Sequence, residues 1–108
     1  MTPQMIVEAI ITGLGLEFKK EVKFHPVRKF RFDYQIMSKI EPGLLLALEI
    51  DGGNWTSGRH TTGQGFEKDH EKFNLALLCG WKVLRYTASQ VRTNPAMIDN
   101  DIRLIAGI

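Results

Sequence analysis

The stretch that decides the fold is Leu44-Leu45-Leu46-Ala47-Leu48-Glu49-Ile50-Asp51. Its apolar part has the length of one β-strand and does not alternate with polar residues, so both faces are expected to be covered, as at the centre of a sheet. The acidic residues at its end are unusual, because a carboxylate is costly to bury. Since side chains alternate along a strand, Glu49 and Asp51 should point to the same face.

The residues before this strand predict a helix and two further strands. Residues 3–13 place apolar side chains at helical spacing. Residues 17–25 and 29–36 nearly alternate between apolar and charged side chains, which is typical of half-buried strands. Asp33 lies in the second of these strands. Pairing of that strand with the central one would place Asp33 beside the carboxylates of Glu49 and Asp51.

The residues after the central strand predict an alternation of helix and strand. In order, we expect a glycine-rich loop over 51–66, a helix over 66–79, a strand over 81–86, a helical turn over 88–92 and a helix over 95–105. On the helix over 66–79, the inward stripe is expected to contain Phe66, Phe73, Ala76 and Leu77, and the outward stripe Lys68, Glu71 and Lys72. The order predicts a mixed α/β fold around a small sheet.

Composition limits the class of protein. The chain has 108 residues, of which 44% are hydrophobic and 24% charged, so we expect one globular domain over 1–108 and not a disordered tail or a disulfide scaffold. No apolar run approaches the length of a membrane span, and no secretion signal is visible, so no membrane partner is expected. The single Cys79 lies in an apolar run and predicts a buried thiol and a reducing, cytoplasmic compartment.

The three carboxylates predict a metal site. Asp33, Glu49 and Asp51 would supply hard oxygen ligands, which Mg²⁺ and Mn²⁺ require. A bound cation would also offset the cost of placing acidic groups next to an apolar strand. The alternative is that Glu49 and Asp51 simply face solvent at the end of a strand.

Four separated motifs resemble the PD-(D/E)xK nuclease superfamily, in the order that this superfamily has. They are Asp33 within Arg-Phe-Asp-Tyr, then Glu49-Ile50-Asp51-Gly52, then Asp69 to Asn74, and finally Gly80 to Tyr86. The resemblance covers residues 17–92 and is closest to the small phage and prophage endonuclease-like domains related to the very-short-patch-repair endonuclease. It implies a restriction-endonuclease-like αβββαβ core with a mixed central sheet flanked by helices.

The resemblance also implies roles for individual residues. Asp33, Glu49 and the backbone carbonyl of Ile50 would hold Mg²⁺ or Mn²⁺. The superfamily usually has a lysine where this chain has Asp51, which would bind the metal or orient the attacking water. Some branches place the lysine on the following helix, where Lys72 would stabilise the phosphate charge.

Two of the implied residues have other interpretations. Lys72 is also explained as a solvated residue on an exposed helix face, paired with Glu71 or with the segment Lys68-Asp69. Glu8 would match an additional acidic residue on the superfamily's first helix, from its approximate position alone.

Positive charge is concentrated before the central strand. From Glu17 to Arg31 there are six cations and two anions, against a formal net charge of +2 for the whole chain. This segment is a candidate surface for the DNA backbone, although an exposed charged strand explains it as well. The candidate DNA-binding residues are Arg28, Lys29, Arg31 and, in the glycine-rich loop, Arg59 and His60.

The leading hypothesis from the sequence is a Mg²⁺-dependent DNA endonuclease, in a phage, prophage or repair context. The first alternative is a non-catalytic nucleic-acid-binding module, because the lysine of the usual motif is absent from its strand. The second is a subunit that acts only when assembled with another protein. A homodimer is left open.

Overall fold

The computed structural model describes residues 1–52 and 63–108. Within these two ranges the chain forms helices and strands in the order that the sequence predicts. They are α1 (Pro3–Gly13), β1 (Glu17–Lys23), β2 (Arg31–Met37), β3 (Leu46–Asp51), α2 (Gly63–Leu78), β4 (Lys82–Thr87), α3 (Ala88–Thr93) and α4 (Pro95–Ala106). Among these described helices, none is both long and apolar enough to cross a bilayer.

The strands form one four-stranded mixed sheet in the order β1-β2-β3-β4. β1 and β3 each pair with β2 in antiparallel orientation, and β4 pairs with β3 in parallel orientation. β3 lies between two strands and both of its faces are covered, so Leu46, Ala47 and Leu48 are completely buried. The predicted central strand and the mixed α/β class are therefore confirmed.

Helices cover both faces of the sheet and form two hydrophobic clusters. On one face, α1, α3 and α4 pack around Leu46 and Leu48 of β3. On the other, α2 packs on Ala47, with Phe32 and Trp81 in the same cluster. Successive side chains of β3 thus pack in the two clusters on opposite faces of the sheet, which explains why its sequence is apolar without interruption.

The ribbon of β1 and β2 leaves the sheet near Asp33. The two strands stay paired from Glu17 with Met37 to Lys23 with Arg31, but the ladder between β2 and β3 includes only residues 34–36 of β2. Phe32 packs on the α2 side, with its ring 5.3 Å from that of Trp81. Tyr34, two residues later, packs on the opposite side. The change of side coincides with Glu21 on β1, whose φ of 53° lies in the left-handed region.

Helix α2 differs from its prediction in its bounds and in its inward face. It begins at Gly63, within the segment expected to be loop, and ends at Leu78. Phe73 and Ala76 face the core as expected, but Phe66 and Leu77 are 55% and 72% exposed. The stripe that faces the sheet includes Lys72, which was expected to face outward. This stripe carries charge because Lys72 pairs with the buried Glu49 of β3.

The predicted burial of Cys79 is wrong, because its side chain is exposed. α2 has already ended there, and the chain turns into β4 through Gly80, whose φ of 88° favours glycine. Cys79 therefore lies beyond the layer that α2 forms on the sheet. The rest of the expected loop, residues 53–62, lies outside the described residues.

Candidate active site

An open polar cavity of about 250 Å³ lies at the carboxyl end of β3. β2, β3, α2 and β4 each contribute to its wall. The residues that line it are Arg31, Asp33, Glu49, Ile50, Asp51, Gly52, Asp69, Lys72 and Arg85. The fold therefore brings together the three carboxylates that the sequence predicts to converge, and adds three cations to them.

Asp33 and Glu49 are locked together where β2 separates from β3. The backbone N–H of Asp33 donates to Glu49 Oε1 at 3.1 Å, and the backbone N–H of Ile50 donates to Asp33 Oδ2 at 2.7 Å. Each carboxylate thus accepts a hydrogen bond from the backbone of the neighbouring strand, beyond the last paired residue of the β2–β3 ladder. The exit of β2 from the sheet makes room for both side chains.

Lys72 points into this site from α2. Its Nζ lies 2.9 Å from Glu49 Oε2, and the two side chains are only 14% and 12% exposed. The ammonium also lies 5.3 Å and 5.4 Å from the ring centres of Phe32 and Phe73. Lys72 therefore faces Glu49, and its interpretation as a solvated residue on an exposed helix face is wrong.

Glu49 is a buried acid whose charge depends on its neighbours. Burial raises its pKa above the ordinary value, and the charge of Asp33 acts in the same direction. The charge and hydrogen bond of Lys72, together with the backbone N–H of Asp33, lower the pKa and so oppose this shift. The ionised form of Glu49 therefore relies on a nearby cation, which here is Lys72.

Asp51 is held by a cation from β4. Arg85 Nη2 lies 3.3 Å from Asp51 Oδ1 and 3.2 Å from Oδ2, and 3.9 Å from Asp69 Oδ2. The guanidinium carbon is 3.9 Å from the ring centre of Phe73. Arg85 is placed there by the parallel register of β3 and β4, in which it is the partner of Glu49.

The oxygen donors of Asp33 and Glu49 suit a hard cation. Over residues 1–52 and 63–108, no group of three or more His, Cys, Asp and Glu side chains is arranged to hold a metal ion. Mg²⁺, however, is usually held by one or two carboxylates and completes its shell with water. The hydrogen bond that the Ile50 N–H donates to Asp33 uses Oδ2 and does not involve Oδ1. The donor chemistry of these two carboxylates therefore fits Mg²⁺ or Mn²⁺.

Glu8 is not brought to the cavity. It accepts a hydrogen bond from the Tyr34 hydroxyl at 2.7 Å and pairs with Lys20 at 3.0 Å, on the side of the sheet that α1 covers. The hydrogen bond from Tyr34 is the main cause that lowers the pKa of Glu8. Burial and the same hydrogen bond raise the pKa of Tyr34. This cluster ties α1 to the β1–β2 ribbon.

The candidate DNA-binding residues are divided among several positions. Arg31 lines the cavity. Arg28 forms an ion pair with Glu71 of α2 and lies 4.8 Å from the ring centre of Phe30, and so fastens the tip of the ribbon to α2. Lys29 is exposed. Arg59 and His60 lie outside the described residues.

The sequence interpretation did not single out Asp69 and Arg85 as members of the site. A signal for Arg85 exists, since it interrupts the strand sequence Val83-Leu84-Arg85-Tyr86 with a charge. Asp69 has no comparable signal, because an acidic residue on a helix is ordinarily solvated.

Comparisons of the chain with protein-family models, with curated proteins and with solved structures find no match.

Proposed function

We propose that the chain is a metal-dependent endonuclease that hydrolyses DNA phosphodiester bonds and has a restriction-endonuclease-like core. The observation that carries the proposal is the contact of 2.9 Å between Lys72 and Glu49, in a cavity that also contains Asp33. A lysine and two carboxylates from three different elements form the set that the motifs imply. The element order α1-β1-β2-β3-α2-β4 supports the proposal as well.

Hydrolysis of a phosphodiester needs a nucleophilic water, stabilisation of the developing negative charge and a proton for the leaving oxygen. Asp33, Glu49 and the carbonyl of Ile50 would hold Mg²⁺ or Mn²⁺, which supplies charge stabilisation and lowers the pKa of water when bound. The backbone hydrogen bonds between Asp33 and its neighbours fix both carboxylates before a substrate arrives. Such fixed groups need little rearrangement during the reaction.

Lys72 would stabilise the charge on the phosphate. Its ammonium carries three N–H donors, and within the described residues it forms an ion pair with Glu49. The neighbouring rings of Phe32 and Phe73 lower the polarity around the ammonium, which strengthens its attraction for an anion. Lys72 thus fills the role of the lysine that Asp51 replaces on the strand.

The β1–β2 ribbon would guide the DNA backbone to the cavity. Arg31 belongs to both the ribbon and the cavity wall, and Lys29 precedes it on the exposed surface. Contacts of these residues with phosphates would be independent of sequence and sensitive to salt. A phage or repair context and a homodimer stay predictions.

A non-catalytic nucleic-acid-binding module is the second candidate, and one observation favours it. Glu49 and Asp51 already have cationic partners in Lys72 and Arg85, so much of the negative charge of the cavity is neutralised within the chain. A protein that had lost its metal would be stable in this arrangement. Such a protein would still bind DNA through the ribbon.

The deciding experiment incubates the purified protein with supercoiled, single-stranded and branched DNA, in Mg²⁺, in Mn²⁺ and in EDTA. Cleavage should require the metal. Lys72→Met should slow it by about 10²-fold or more, because transition-state charge stabilisation is worth several kcal/mol. Lys68→Met, which removes an exposed lysine from the same helix, is the matched control and should have no effect.

Two results would overturn the proposal. Binding of DNA without cleavage under any of these conditions would favour the non-catalytic module. Full activity of Lys72→Met would remove the residue on which the proposed mechanism depends.

A further inference from the structure

Arg85 is held by an ion pair with Asp51 in an orientation that suits the binding of a ligand in the cavity. Both side chains are partly exposed, at 38% and 31%, and ion pairs of this exposure contribute little to stability. The guanidinium of Arg85 is nevertheless held in place by two different residues. Phe73 lies against its guanidinium at 3.9 Å, and Asp51 holds one edge through Nη2.

The contacts described for Arg85 use only part of its donor capacity. A guanidinium has five N–H donors in a rigid plane, and the contacts with Asp51 and Asp69 all involve Nη2. The donors on Nη1 and Nε have no contact of this kind within the described parts of the chain. Two neighbouring guanidinium nitrogens match the spacing of two phosphate oxygens, which is why arginine binds phosphate through paired hydrogen bonds.

We propose that Arg85 binds a phosphate group of the DNA strand in the cavity, and that Asp51 is a positioning residue for Arg85 and not a metal ligand. The inference rests on the proposed nuclease function and deepens it. Asp51 occupies the place where the motif usually has lysine. The positive charge missing from β3 would then be supplied from β4, through the Asp51–Arg85 pair.

The arrangement of the cavity supports this assignment of roles. Both oxygens of Asp51 lie within 3.3 Å of Arg85 Nη2, whereas Asp33 and Glu49 are held by backbone N–H groups of the adjoining strands. Both cations also lie near the ring of Phe73, with Arg85 Cζ at 3.9 Å and Lys72 Nζ at 5.4 Å from its centre. Arg85 and Lys72 are therefore placed to contact the same strand of DNA.

The first measurement separates a metal ligand from a positioning residue. Mn²⁺ binding is titrated without DNA for Asp33→Asn, Asp51→Asn and the wild-type protein. Asp33→Asn should weaken binding by at least about tenfold, since it removes a direct ligand, whereas Asp51→Asn should change it less than threefold, on the order of an indirect effect. A tenfold loss for Asp51→Asn would overturn its assignment as a positioning residue.

The second measurement tests Arg85 with a short labelled DNA duplex in Ca²⁺, to observe binding apart from cleavage. Arg85→Met should weaken binding about 10- to 100-fold and lower the log–log salt slope by about 0.9. Arg85→Lys should restore part of the affinity because it keeps the charge. Adding Asp51→Asn to Arg85→Met should cause no further loss, since Asp51 acts through Arg85.

The pair Asp99 and Arg103 supplies matched controls. These residues form a similar ion pair on α4, with Arg103 Nε 2.7 Å from Asp99 Oδ1, and neither lines the cavity. Arg103→Met and Asp99→Asn should leave both the DNA affinity and the salt slope unchanged. Wild-type affinity in Arg85→Met, or an equal loss in Arg103→Met, would refute the inference.

A third measurement distinguishes failure of this inference from failure of the nuclease proposal. Inorganic phosphate is added to metal-free protein, and the ¹⁵N resonance of Arg85 Nε is followed. A shift that saturates, and that Asp51→Asn reduces, supports the phosphate site even if the protein cleaves no DNA. No shift in the wild-type protein would overturn the phosphate site, whether or not DNA is cleaved.

Discussion

Replacing Lys72 by methionine should destabilise the protein in a way that depends on pH. Burial raises the pKa of Glu49, and Lys72 opposes that shift. A carboxyl whose pKa is raised on folding holds its proton more tightly in the folded state. Its contribution to stability is therefore fully present below the ordinary value of 4.5 and is lost as the pH rises through the folded pKa. Lys72→Met raises that pKa further and extends the loss to higher pH.

The size of the effect has an upper bound, because Glu49 can take up a proton and need not stay charged without a partner. Keeping a carboxyl with an ordinary pKa of 4.5 protonated at pH 7 costs about 3.4 kcal/mol, at about 1.36 kcal/mol for each of about 2.5 pH units. At pH 5 the same bound falls to about 0.8 kcal/mol. Methionine keeps an unbranched apolar stem of similar length, so little other loss is expected.

The assay is urea unfolding in EDTA at pH 5 and pH 7. Lys72→Met should lose about 1–3 kcal/mol at pH 7 and less than about 0.8 kcal/mol at pH 5. The control Lys68→Met should lose little at either pH, because Lys68 is exposed. In the double variant with Glu49→Gln, the extra loss at pH 7 should disappear. An equal loss at both pH values would refute the reasoning, since it would show that Lys72 stabilises by packing alone.

Three further predictions concern other parts of the molecule. Tyr34→Phe should cost about 1 kcal/mol near pH 7. Because the pKa of Glu8 is lowered, the contribution of Glu8 to the free energy of unfolding is present above pH 4.5 and is lost in acid. Urea unfolding at pH 3 should therefore show a smaller loss of stability for Tyr34→Phe than at pH 7. An equal loss at both pH values would contradict this. Thr87→Ala removes the N-cap of α3 and should cost about 1 kcal/mol by thermal unfolding, and no change would argue against the capping box. Lys29→Ala and Arg31→Ala should each lower the salt slope of DNA binding by about 0.9; unchanged slopes would place the DNA surface elsewhere.

Local signals in the sequence are sufficient for most of the fold. α1 covers the predicted residues 3–13, because Thr2 caps the helix, Pro3 suits its first turn and the apolar spacing is helical. The uninterrupted apolar run of β3 requires cover on both faces, and this predicts an interior strand. The antiparallel pairing of β2 with β3 then brings Asp33 beside Glu49, as the sequence predicts. The first two features follow from interactions within a few residues or from the period of one element, and the third from the pairing of two strands that are consecutive in the sequence.

The cavity's composition was decided by packing between elements. A helical pattern shows which residues share a face but not what covers that face, so the sequence placed Lys72 outside and Leu77 inside, and the fold reversed both. α2 covers a polar cavity along part of its length, and its inward face therefore includes charge.

The pairing of Arg85 with Asp51 depends on the register between β3 and β4. Neither strand's sequence by itself specifies that register. The parallel alignment of β3 with β4 sets Arg85 opposite Glu49 and within reach of Asp51. In that alignment Ala47 and Trp81 are buried in one cluster, which requires contacts between segments far apart in the sequence. The sequence by itself determined the elements and the acidic end of β3, whereas the tertiary structure decided which cations meet those acids, because that depends on contacts between residues far apart in the chain.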